Sequence, residues 1–336
     1  MSPPGSDTYD AEWADARRRA VVEGVARLVG REAAGDEQRA LLTASLAGLR
    51  ARAAQPGELI PSVHLPLLVA AHLLGDDLEA VPVAILAATL ELAMDLADAM
   101  ADGEVDDRWP ALPAPSVPLV AMLLTSAVPM RAISTLEAPA DRRLAMLDAL
   151  GRQGLLIAHG QQLDLMLTRA RAPSAATVAA SNRGKTGERR ALYAILAARF
   201  AGAAAEVEAH VADMARALGE ATQLTNDLHD LFATNPSRDL SNGTRTWPIA
   251  WALETVTGDG RRELLSELDA ATLPGADHAG LQARLADLDA AGRTRLQIAY
   301  HLGLAVDALE RLNARPGVHA ALLALITSAG PQTRAA

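Results

Sequence analysis

Apolar residues recur along most of the chain with the three- and four-residue spacing of a single helix face. Long runs in which apolar and polar residues alternate, the pattern of a half-buried strand, are absent from the sequence. The pattern therefore predicts an all-α protein. Its helices are expected over about 9–30, 34–53, 62–75, 79–102, 117–136, 140–172, 186–203, 205–234 and 245–256, with further helices towards the C-terminus.

Clusters of glycine, proline and small polar residues separate these helices, at QPGE (55–58), GDD (75–77), WPALPAPSVP (109–118), RAPS (171–174) and NPSRDLSNG (235–243). The helices at 79–102 and 205–234 are apolar almost all round, which predicts that they are central. After about residue 257 the chain becomes more charged, which predicts peripheral helices that cover the core.

An acidic cluster lies at the end of the first central helix. Asp95, Asp98 and Asp102 are spaced i, i+3 and i+7, so they share one helix face, and Asp106 and Asp107 follow just after Gly103. Like charges at this spacing repel each other unless a cation lies between them. The alternative interpretation, a solvated helix end, explains this cluster equally well when it is taken alone.

A second acidic cluster, in QLTNDLHD at 223–230, ends the other central helix. Asn226 and Asp230 are spaced i, i+4, with Asp227 beside them. Oxygen ligands on two helices suit Mg²⁺, which keeps several waters and bridges to substrate phosphates. A self-capping polar helix terminus is the alternative here, but two such clusters on two apolar helices favour a metal site.

Basic residues follow a glycine in SNRGKTGERRALYAILAARFAGA at 181–203. Lys185, Arg189 and Arg190 are predicted to lie at a helix start, where such cations serve as counter-charges for phosphate. Taken alone, the segment favours the alternative interpretation, a surface cluster of charges.

Composition excludes several classes of function. The 336 residues include no cysteine, which excludes disulfides, zinc–thiolate sites and a cysteine nucleophile. The formal net charge of −10 argues against a nucleic-acid partner. The N-terminal MSPPGSDTYDAEW does not resemble a signal peptide, and the apolar run at 117–130 is expected to be too short to span a bilayer, with prolines interrupting it. We therefore expect a cytoplasmic protein without a transmembrane segment.

In their order along the chain, several segments resemble the trans-prenyl diphosphate synthase (polyprenyl synthetase) family and its class I terpene synthase relatives. These segments are PSVHLPLLVAAHLLG (61–75), LAATLELAMDLADAMAD (86–102), HGQQLDL (159–165), the GKTGERR segment, ALGEATQLTNDLHDL (217–231) and DLSNGTRTWPIAWAL (239–253). The resemblance implies a single-domain class I isoprenoid synthase-type helical bundle with a central active-site cavity. It also implies a homodimer, Mg²⁺ as cofactor and an allylic prenyl diphosphate as substrate.

The resemblance further implies a domain order and a set of functional residues. N-terminal helices (1–55) would precede the catalytic core (56–256), and residues 257–336 would form C-terminal covering helices of the same domain. The catalytic residues would be Asp98, Asp102, Lys185, Asp227 and Asp230, with Asn226 joining the four aspartates as a metal ligand. The substrate-binding residues would be Gln161, Lys185, Thr186, Arg189, Gln223 and Arg245, with Asp164 also lining the cavity.

Two departures from the family pattern concern the second diphosphate. Chain-elongating members carry a G-K-R-x-R-P stretch that grips isopentenyl diphosphate, whereas here PSVHLP places Ser62, Val63 and Leu65 at those positions. The arginine pair that follows the first motif is reduced to Arg108. Without these cations a second diphosphate has little to hold it.

These departures favour a prenyltransferase that joins the prenyl group to an acceptor other than isopentenyl diphosphate. A terpene cyclase is the alternative, and its cation would need aromatic faces. Ordinary packing is the more probable role for each available ring, which belong to Tyr193, Phe200, Phe232, Trp247 and Trp251. An ordinary chain-elongating synthase and its non-catalytic partner subunit remain as further alternatives.

Overall fold

The computed structural model describes residues 9–167, 172–233 and 236–331, without the side chains of residues 52, 102, 106 and 107. These residues form helices and no strands. The α-helices are α1 Ala11–Glu32, α2 Asp36–Ser45, α3 Ala47–Ala53, α4 Pro61–Leu74, α5 Val81–Asp102, α6 Val105–Arg108, α7 Val117–Met122, α8 Val128–Ser134, α9 Ala140–Leu167, α10 Ala175–Asn182, α11 Glu188–Ala201, α12 Ala205–Ala233, α13 Arg238–Asn242, α14 Trp247–Thr255, α15 Gly258–Ala270, α16 Ala279–Asp287, α17 Ala290–Leu312 and α18 Pro316–Ser328. The predicted all-α class is confirmed.

The main error of the helix prediction lies between residues 175 and 187. Helix α10 was missed, and the helical run does not begin near residue 186 but continues from α10 through a π-helical turn, Arg183–Gly187, into α11. Two glycines in RGKTG predict a break. The Ser174 side chain instead accepts a hydrogen bond from the Thr177 amide and begins a helix that these glycines do not end.

The chain divides into two compact units that interleave in sequence. The first unit contains residues up to 152 together with 192–212 and 308–325. The second contains residues 153–191 and 213–307 and the chain from 326 onwards.

Helix α5 is the centre of the first unit and packs against α1, α4 and α7. Its residues from Val83 to Ala93 are nearly all buried, as its apolar sequence predicts. The neighbouring helix α4 ends at Gly75 in the left-handed conformation (φ 85°), where a side chain would be strained. The guanidinium of Arg315 donates to the Ala71 carbonyl at 2.8 Å and so satisfies one carbonyl of the last turn of α4.

Two helical stretches of the described residues are long and apolar enough to cross a membrane by length and composition alone. They are Leu78–Ala101, whose apolar window is 72% buried, and Ala114–Ser134, whose window is 33% buried. The second stretch is longer than the apolar run at 117–130 that the sequence analysis considered. The helix continues through Pro129 after a π-helical turn at Leu123–Ala127. Length and composition are weak criteria here, since a core helix passes the same test.

Helices α12 and α14 supply much of the core of the second unit. One apolar cluster joins Leu224 and Leu228 of α12 to Trp247 of α14 and Ile298 of α17. A second cluster extends from Leu231 to α15 and α16. These contacts pack the end of α12, which carries the acidic residues, against the apolar core of the second unit.

Trp109 anchors the chain between α6 and α7 to the N-terminal helices. Its side chain is 1% exposed, its indole N–H donates to the Ser45 carbonyl at 2.8 Å, and a Cβ at Gly48 would come within 2.9 Å of its ring. We expect Trp109→Ala to lower the free energy of unfolding by about 3–5 kcal/mol, as the loss of a buried aromatic side chain does. Denaturant titration would measure this, with Leu144→Ala as control because Leu144 is 67% exposed. Equal losses in the two variants would contradict this packing role.

Candidate active site

A π-helical turn, Arg183–Gly187, carries Lys185 and Thr186, two of the predicted substrate-binding residues of the second unit. Its backbone touches that of α9 directly, because a Cβ at Gly160 would lie 2.1 Å from the Lys185 nitrogen and a Cβ at Gly184 would lie 2.6 Å from the Gly160 Cα. Helix α12 approaches from another side, where a Cβ at Gly219 would lie 2.5 Å from the Thr186 carbonyl oxygen. The lack of side chains at these glycines therefore sets the position of Lys185 and Thr186.

Side chains of the turn connect it to the second acidic cluster. The Lys185 ammonium donates to Asp164 Oδ2 at 2.8 Å. The Thr186 hydroxyl donates to Gln223 Oε1 at 2.7 Å, and Gln223 Nε2 in turn donates to Asp227 Oδ1 at 2.9 Å. Five residues that the sequence indicated as functional are thus brought together.

Asp227 is the most deeply buried carboxylate of this group, at 4% exposed. Burial raises the pKa of Asp227 to about 7. The hydrogen bond from Gln223 opposes that rise, the negative charge of Asp164 adds to it, and the positive charge of Lys185 opposes it. Lys185 therefore compensates only part of the negative charge of Asp227 and Asp164 in this group.

Asp230 holds the segment that follows α12. Its Oδ2 accepts from the Ser237 hydroxyl at 2.6 Å and from the Asp239 amide at 3.0 Å, and its Oδ1 accepts from the Arg238 amide at 3.2 Å. A carboxylate has about four lone-pair positions, so a cation would share Asp230 with these donors. In addition to its predicted role as a ligand, Asp230 fixes residues 237–239 beside the acidic cluster.

Asp239 is a member of this cluster that the sequence reasoning did not single out. Burial, and then the charges of Asp227 and Asp230, raise the pKa of Asp239 well above its usual value. The only sequence signal was an acidic residue in the segment matched at 239–253. Its approach to α12 depends on the start of α13, which Asp230 holds.

A second set of charged residues connects the π-helical turn and the start of α11 to α12 and α17. Arg216 of α12 makes a bidentate ion pair with Glu188 at 2.7 and 3.1 Å, and Arg183 lies 3.8 Å from Glu220. Burial raises the pKa of Glu220, although both arginines oppose the rise. His301 Nδ1 lies 3.6 Å from the same carboxylate. The sequence reasoning missed this network, whose partners come from three separate helical segments.

The first acidic cluster belongs to the other unit, on the last turns of α5. Asp95 is 8% exposed and Asp98 is half-buried. The side chains of Asp102, Asp106 and Asp107 lie outside the described residues. The cluster therefore includes at least one carboxylate that folding removes from water, which a solvated helix end would not require.

The remaining predicted site residues differ in their surroundings. Asn226 is exposed, Gln161 is half-buried and Arg189 is buried. Arg245 is buried as well, and its guanidinium donates to the Gly243 carbonyl and to Asp269 Oδ1, both at 3.1 Å. Burial lowers the pKa of Arg245, and the Asp269 charge opposes that change. Arg245 therefore stabilises the loop before α14 in this structure.

The five candidate aromatic residues lie in different surroundings in the two units. Trp247 stacks on Trp251 with ring centroids 5.9 Å apart, and Trp247 also belongs to the apolar cluster of α12 and α14. Phe232 packs against that cluster. The Tyr193 hydroxyl donates to Glu91, and Phe200 lines a cavity of the first unit.

The donor chemistry of the acidic clusters fits Mg²⁺. Carboxylate oxygens are its preferred protein ligands, and the raised pKa of Asp227 shows a buried site where added positive charge would be stabilising. Among the side chains that the structure describes, no three acidic or histidine groups converge on one point as a metal cage. This arrangement suits Mg²⁺, which takes one or two carboxylates together with waters and substrate phosphates.

Comparison with known proteins agrees with this fold and these motifs. Residues 118–274 match the polyprenyl synthetase family model. No curated protein sequence gives a match. Similar solved structures include a polyprenyl synthetase from Streptomyces coelicolor A3(2), with 18% identity, 96% of this chain and 100% of that chain covered, and a TM-score of 0.81.

Two geranylgeranyl pyrophosphate synthases are similarly related. The enzyme from the archaeon Geoglobus acetivorans has 19% identity, a TM-score of 0.75 and coverage of 95% of this chain and 99% of its own. The enzyme from Corynebacterium glutamicum, complexed with isoprenyl diphosphate and magnesium, has 18% identity, a TM-score of 0.76 and coverage of 94% and 98%. At these identities the likeness establishes a shared fold.

The titration of Asp227 should be visible in the stability of the metal-free protein. Because its folded-state pKa of about 7 lies above its usual value of 3.8, the stabilisation is fully present below about pH 4 and is lost as pH rises through 7. In EDTA, the melting temperature of the wild type minus that of Asp227→Asn should fall between pH 5 and pH 8. Asp307→Asn, at an exposed position of the same unit, serves as control. A difference that stays constant over this range would show that Asp227 is ionised throughout.

Proposed function

We propose that this chain, whose residues 118–274 match the polyprenyl synthetase family model, is a prenyltransferase that ionises an allylic prenyl diphosphate and joins the prenyl group to an acceptor other than isopentenyl diphosphate. The ionisation step is supported by one observation, the hydrogen bonds that connect a set of predicted site residues. These residues are Asp164, Lys185, Thr186, Gln223 and Asp227. The choice of an acceptor other than isopentenyl diphosphate rests on the surroundings of the N-terminal end of α4.

Each residue has a defined task in this proposal. Asp98, Asp102, Asn226, Asp227 and Asp230 would hold Mg²⁺, which neutralises the leaving diphosphate when bound. Lys185 would exchange its contact with Asp164 for a diphosphate oxygen, and Thr186 and Gln223 would keep Asp227 aligned. The bond between the allylic carbon and oxygen then breaks, with the electron pair leaving on the diphosphate. The acceptor supplies a new electron pair to the carbon and loses a proton.

The residues in place of the isopentenyl diphosphate grip are buried in the first unit. Ser62 is 1% exposed, and Val63 and Leu65 are fully buried at the start of α4. The His64 ring accepts from the Ile60 amide at 2.7 Å and lies 3.0 Å from the Ala14 carbonyl. Burial lowers the pKa of His64, which leaves the ring neutral. None of these four side chains can present positive charge to a second diphosphate.

A chain-elongating synthase is the second candidate function. The similar structures from Geoglobus acetivorans and Corynebacterium glutamicum are geranylgeranyl pyrophosphate synthases, and they share the fold over nearly their whole length. Charge distinguishes the two candidates, because a second diphosphate needs its own cationic partners. Arg108, the remaining arginine after the first motif, is exposed and lies over the Trp109 ring at 4.8 Å.

The proposal includes a cytoplasmic homodimer with the domain order 1–55, 56–256 and 257–336. Large exposed apolar side chains on the helical stretch Ala114–Ser134 support association with a second copy, since Leu119, Met122 and Met130 are 48–55% exposed. Burial of most of the apolar window of Leu78–Ala101 supports its role as a core helix rather than a membrane segment.

Catalysis should depend on the carboxylates, on Lys185 and on a divalent cation. Asp98→Ala, Asp227→Ala and Lys185→Ala are each expected to lower the rate of diphosphate release from geranyl or farnesyl diphosphate by on the order of 10²-fold, because each removes one electrostatic stabiliser. EDTA should abolish release and Mg²⁺ should restore it. Asp307→Ala is the control, since that carboxylate is exposed and outside both clusters. Full activity in EDTA, or absence of release from the purified wild type, would overturn the proposed enzyme function.

The acceptor part of the proposal is tested with labelled isopentenyl diphosphate. Each missing charge-assisted contact is worth about 1.5–3 kcal/mol, so the absence of two or three should weaken its binding by roughly a hundredfold or more. We expect diphosphate release from an allylic substrate without efficient formation of a product five carbons longer. Mass spectrometry of the products would measure this. Rapid elongation would instead identify a chain-elongating synthase.

A further inference from the structure

A histidine outside the predicted catalytic core is buried in the second unit. His278 immediately precedes α16, and its side chain is 1% exposed. The Ser237 amide donates to His278 Nδ1 at 3.1 Å, and Nε2 of the ring lies 3.0 Å from the Ala271 carbonyl oxygen. Because Nδ1 accepts a hydrogen bond, the proton of the ring is on Nε2, which donates to Ala271. Both ring nitrogens therefore have partners, and these partners fix the orientation of the ring.

Ser237 connects this histidine to the second acidic cluster. It is fully buried and caps the start of α13. The Ser237 hydroxyl donates to Asp230 Oδ2 at 2.6 Å, and the amides of Arg238 and Asp239 donate to the same carboxylate at 3.2 and 3.0 Å. All three donors belong to the start of α13, so the orientation of the Asp230 carboxylate depends on where that start lies. His278 holds it there by accepting from the Ser237 amide.

Helix α16 holds the end of α12 as well as the start of α13. Gln282, one helical turn after His278, donates from Nε2 to the Leu231 carbonyl at 2.8 Å. Leu281 and Leu285 of α16 belong to the same apolar cluster as Leu231. Asp230, the neighbour of Leu231 in the sequence, is thus held through its own helix and through the helix that donates to its carboxylate.

We propose that His278 is a positioning residue of the second acidic cluster, which acts through Ser237 to keep the Asp230 carboxylate in the orientation that binds a divalent cation. The inference rests on the proposed function, in which Asp230 is a ligand of Mg²⁺. Residues that orient a metal ligand through hydrogen bonds commonly change metal affinity or activity by about 10–100-fold when they are replaced. An apolar side chain would fill the place of the ring, but it would leave the buried Ser237 amide without an acceptor.

Two substitutions of His278 separate positioning from packing. In His278→Asn, an amide oxygen at the place of Nδ1 can still accept from the Ser237 amide. In His278→Gln, an amide nitrogen at the place of Nε2 can still donate to Ala271, whereas the acceptor for Ser237 is lost. Each variant loses the ring and keeps one of its two hydrogen bonds. We therefore expect the two melting temperatures to fall by similar amounts.

Metal binding should distinguish these two variants. Mn²⁺ is a paramagnetic substitute for Mg²⁺, and electron paramagnetic resonance measures the ion that remains in solution. Its affinity should fall about tenfold or more in His278→Gln and stay within about threefold of the wild type in His278→Asn. The Mg²⁺ concentration that gives half-maximal diphosphate release should change in the same order. Equal losses of affinity in both variants, or wild-type affinity in His278→Gln, would overturn the inference.

Hydrogen exchange tests the contact in the metal-free protein, without turnover. In EDTA, the Ser237 amide should exchange at about the wild-type rate in His278→Asn and at least about tenfold faster in His278→Gln, because only the second variant removes its acceptor. Nuclear magnetic resonance would measure these rates. An equally slow exchange in His278→Gln would show that His278 does not hold the start of α13.

His319→Gln is the matched control, because this partly exposed histidine contacts Glu310 at 3.0 Å in the first unit. It should retain the wild-type Mn²⁺ affinity, and a loss like that of His278→Gln would contradict the positioning role. Wild-type protein that releases no diphosphate, with variants that bind Mn²⁺ in the expected order, would overturn the proposed function and retain this role. Mg²⁺-dependent release with equal Mn²⁺ affinity in all variants would retain the function and overturn the role. A wild type that binds no Mn²⁺ would overturn both.

Discussion

Direct backbone contact at Gly160, Gly184 and Gly219 is the constraint on which the candidate site depends. Any side chain at these positions would enter the space of a neighbouring main chain, with distances of 2.1–2.6 Å from a Cβ to the nearest backbone atom. The contacts hold a π-helical turn between α9 and α12, and π-helical turns inside longer helices are frequent at functional sites. Lys185 and Thr186 reach the acidic residues because their backbone cannot move away.

Excess negative charge is the second feature that organises the site. Asp227 and Asp239 both have raised pKa values, because burial and neighbouring carboxylates disfavour their ionised forms. Lys185 and the amide of Gln223 offset only part of this cost. A site of this kind gains from a divalent cation and from a substrate that brings the cation with it, which is why the chemistry of a Mg²⁺-bound diphosphate agrees with these residues.

The same electrostatic reasoning separates the two halves of the proposed reaction. In the proposed reaction, the π-helical turn and α12 would provide a lysine, hydrogen-bond donors and carboxylates for one diphosphate. At the start of α4, by contrast, Ser62, Val63 and Leu65 are buried in the core of the first unit and provide apolar packing. The fold is shared with geranylgeranyl pyrophosphate synthases, but a shared fold does not supply the missing charges.

The sequence by itself determined the all-α class, most helix bounds and the acidic residues at the ends of α5 and α12, because helical periodicity and the spacing of carboxylates on one face are local properties. It also indicated the absence of cations at PSVHLP. Tertiary structure alone decided which residues meet. Asp230 holds the start of α13, Arg245 contacts Asp269, and Tyr193 donates to Glu91 across 102 positions of sequence. Local preference alone predicts that the glycines in RGKTG break the helix. In the structure the helix continues through them, because the neighbouring backbones of α9 and α12 lie where side chains would otherwise be. Tertiary packing brings together partners that are so distant in sequence, and periodicity along the chain does not predict such pairs.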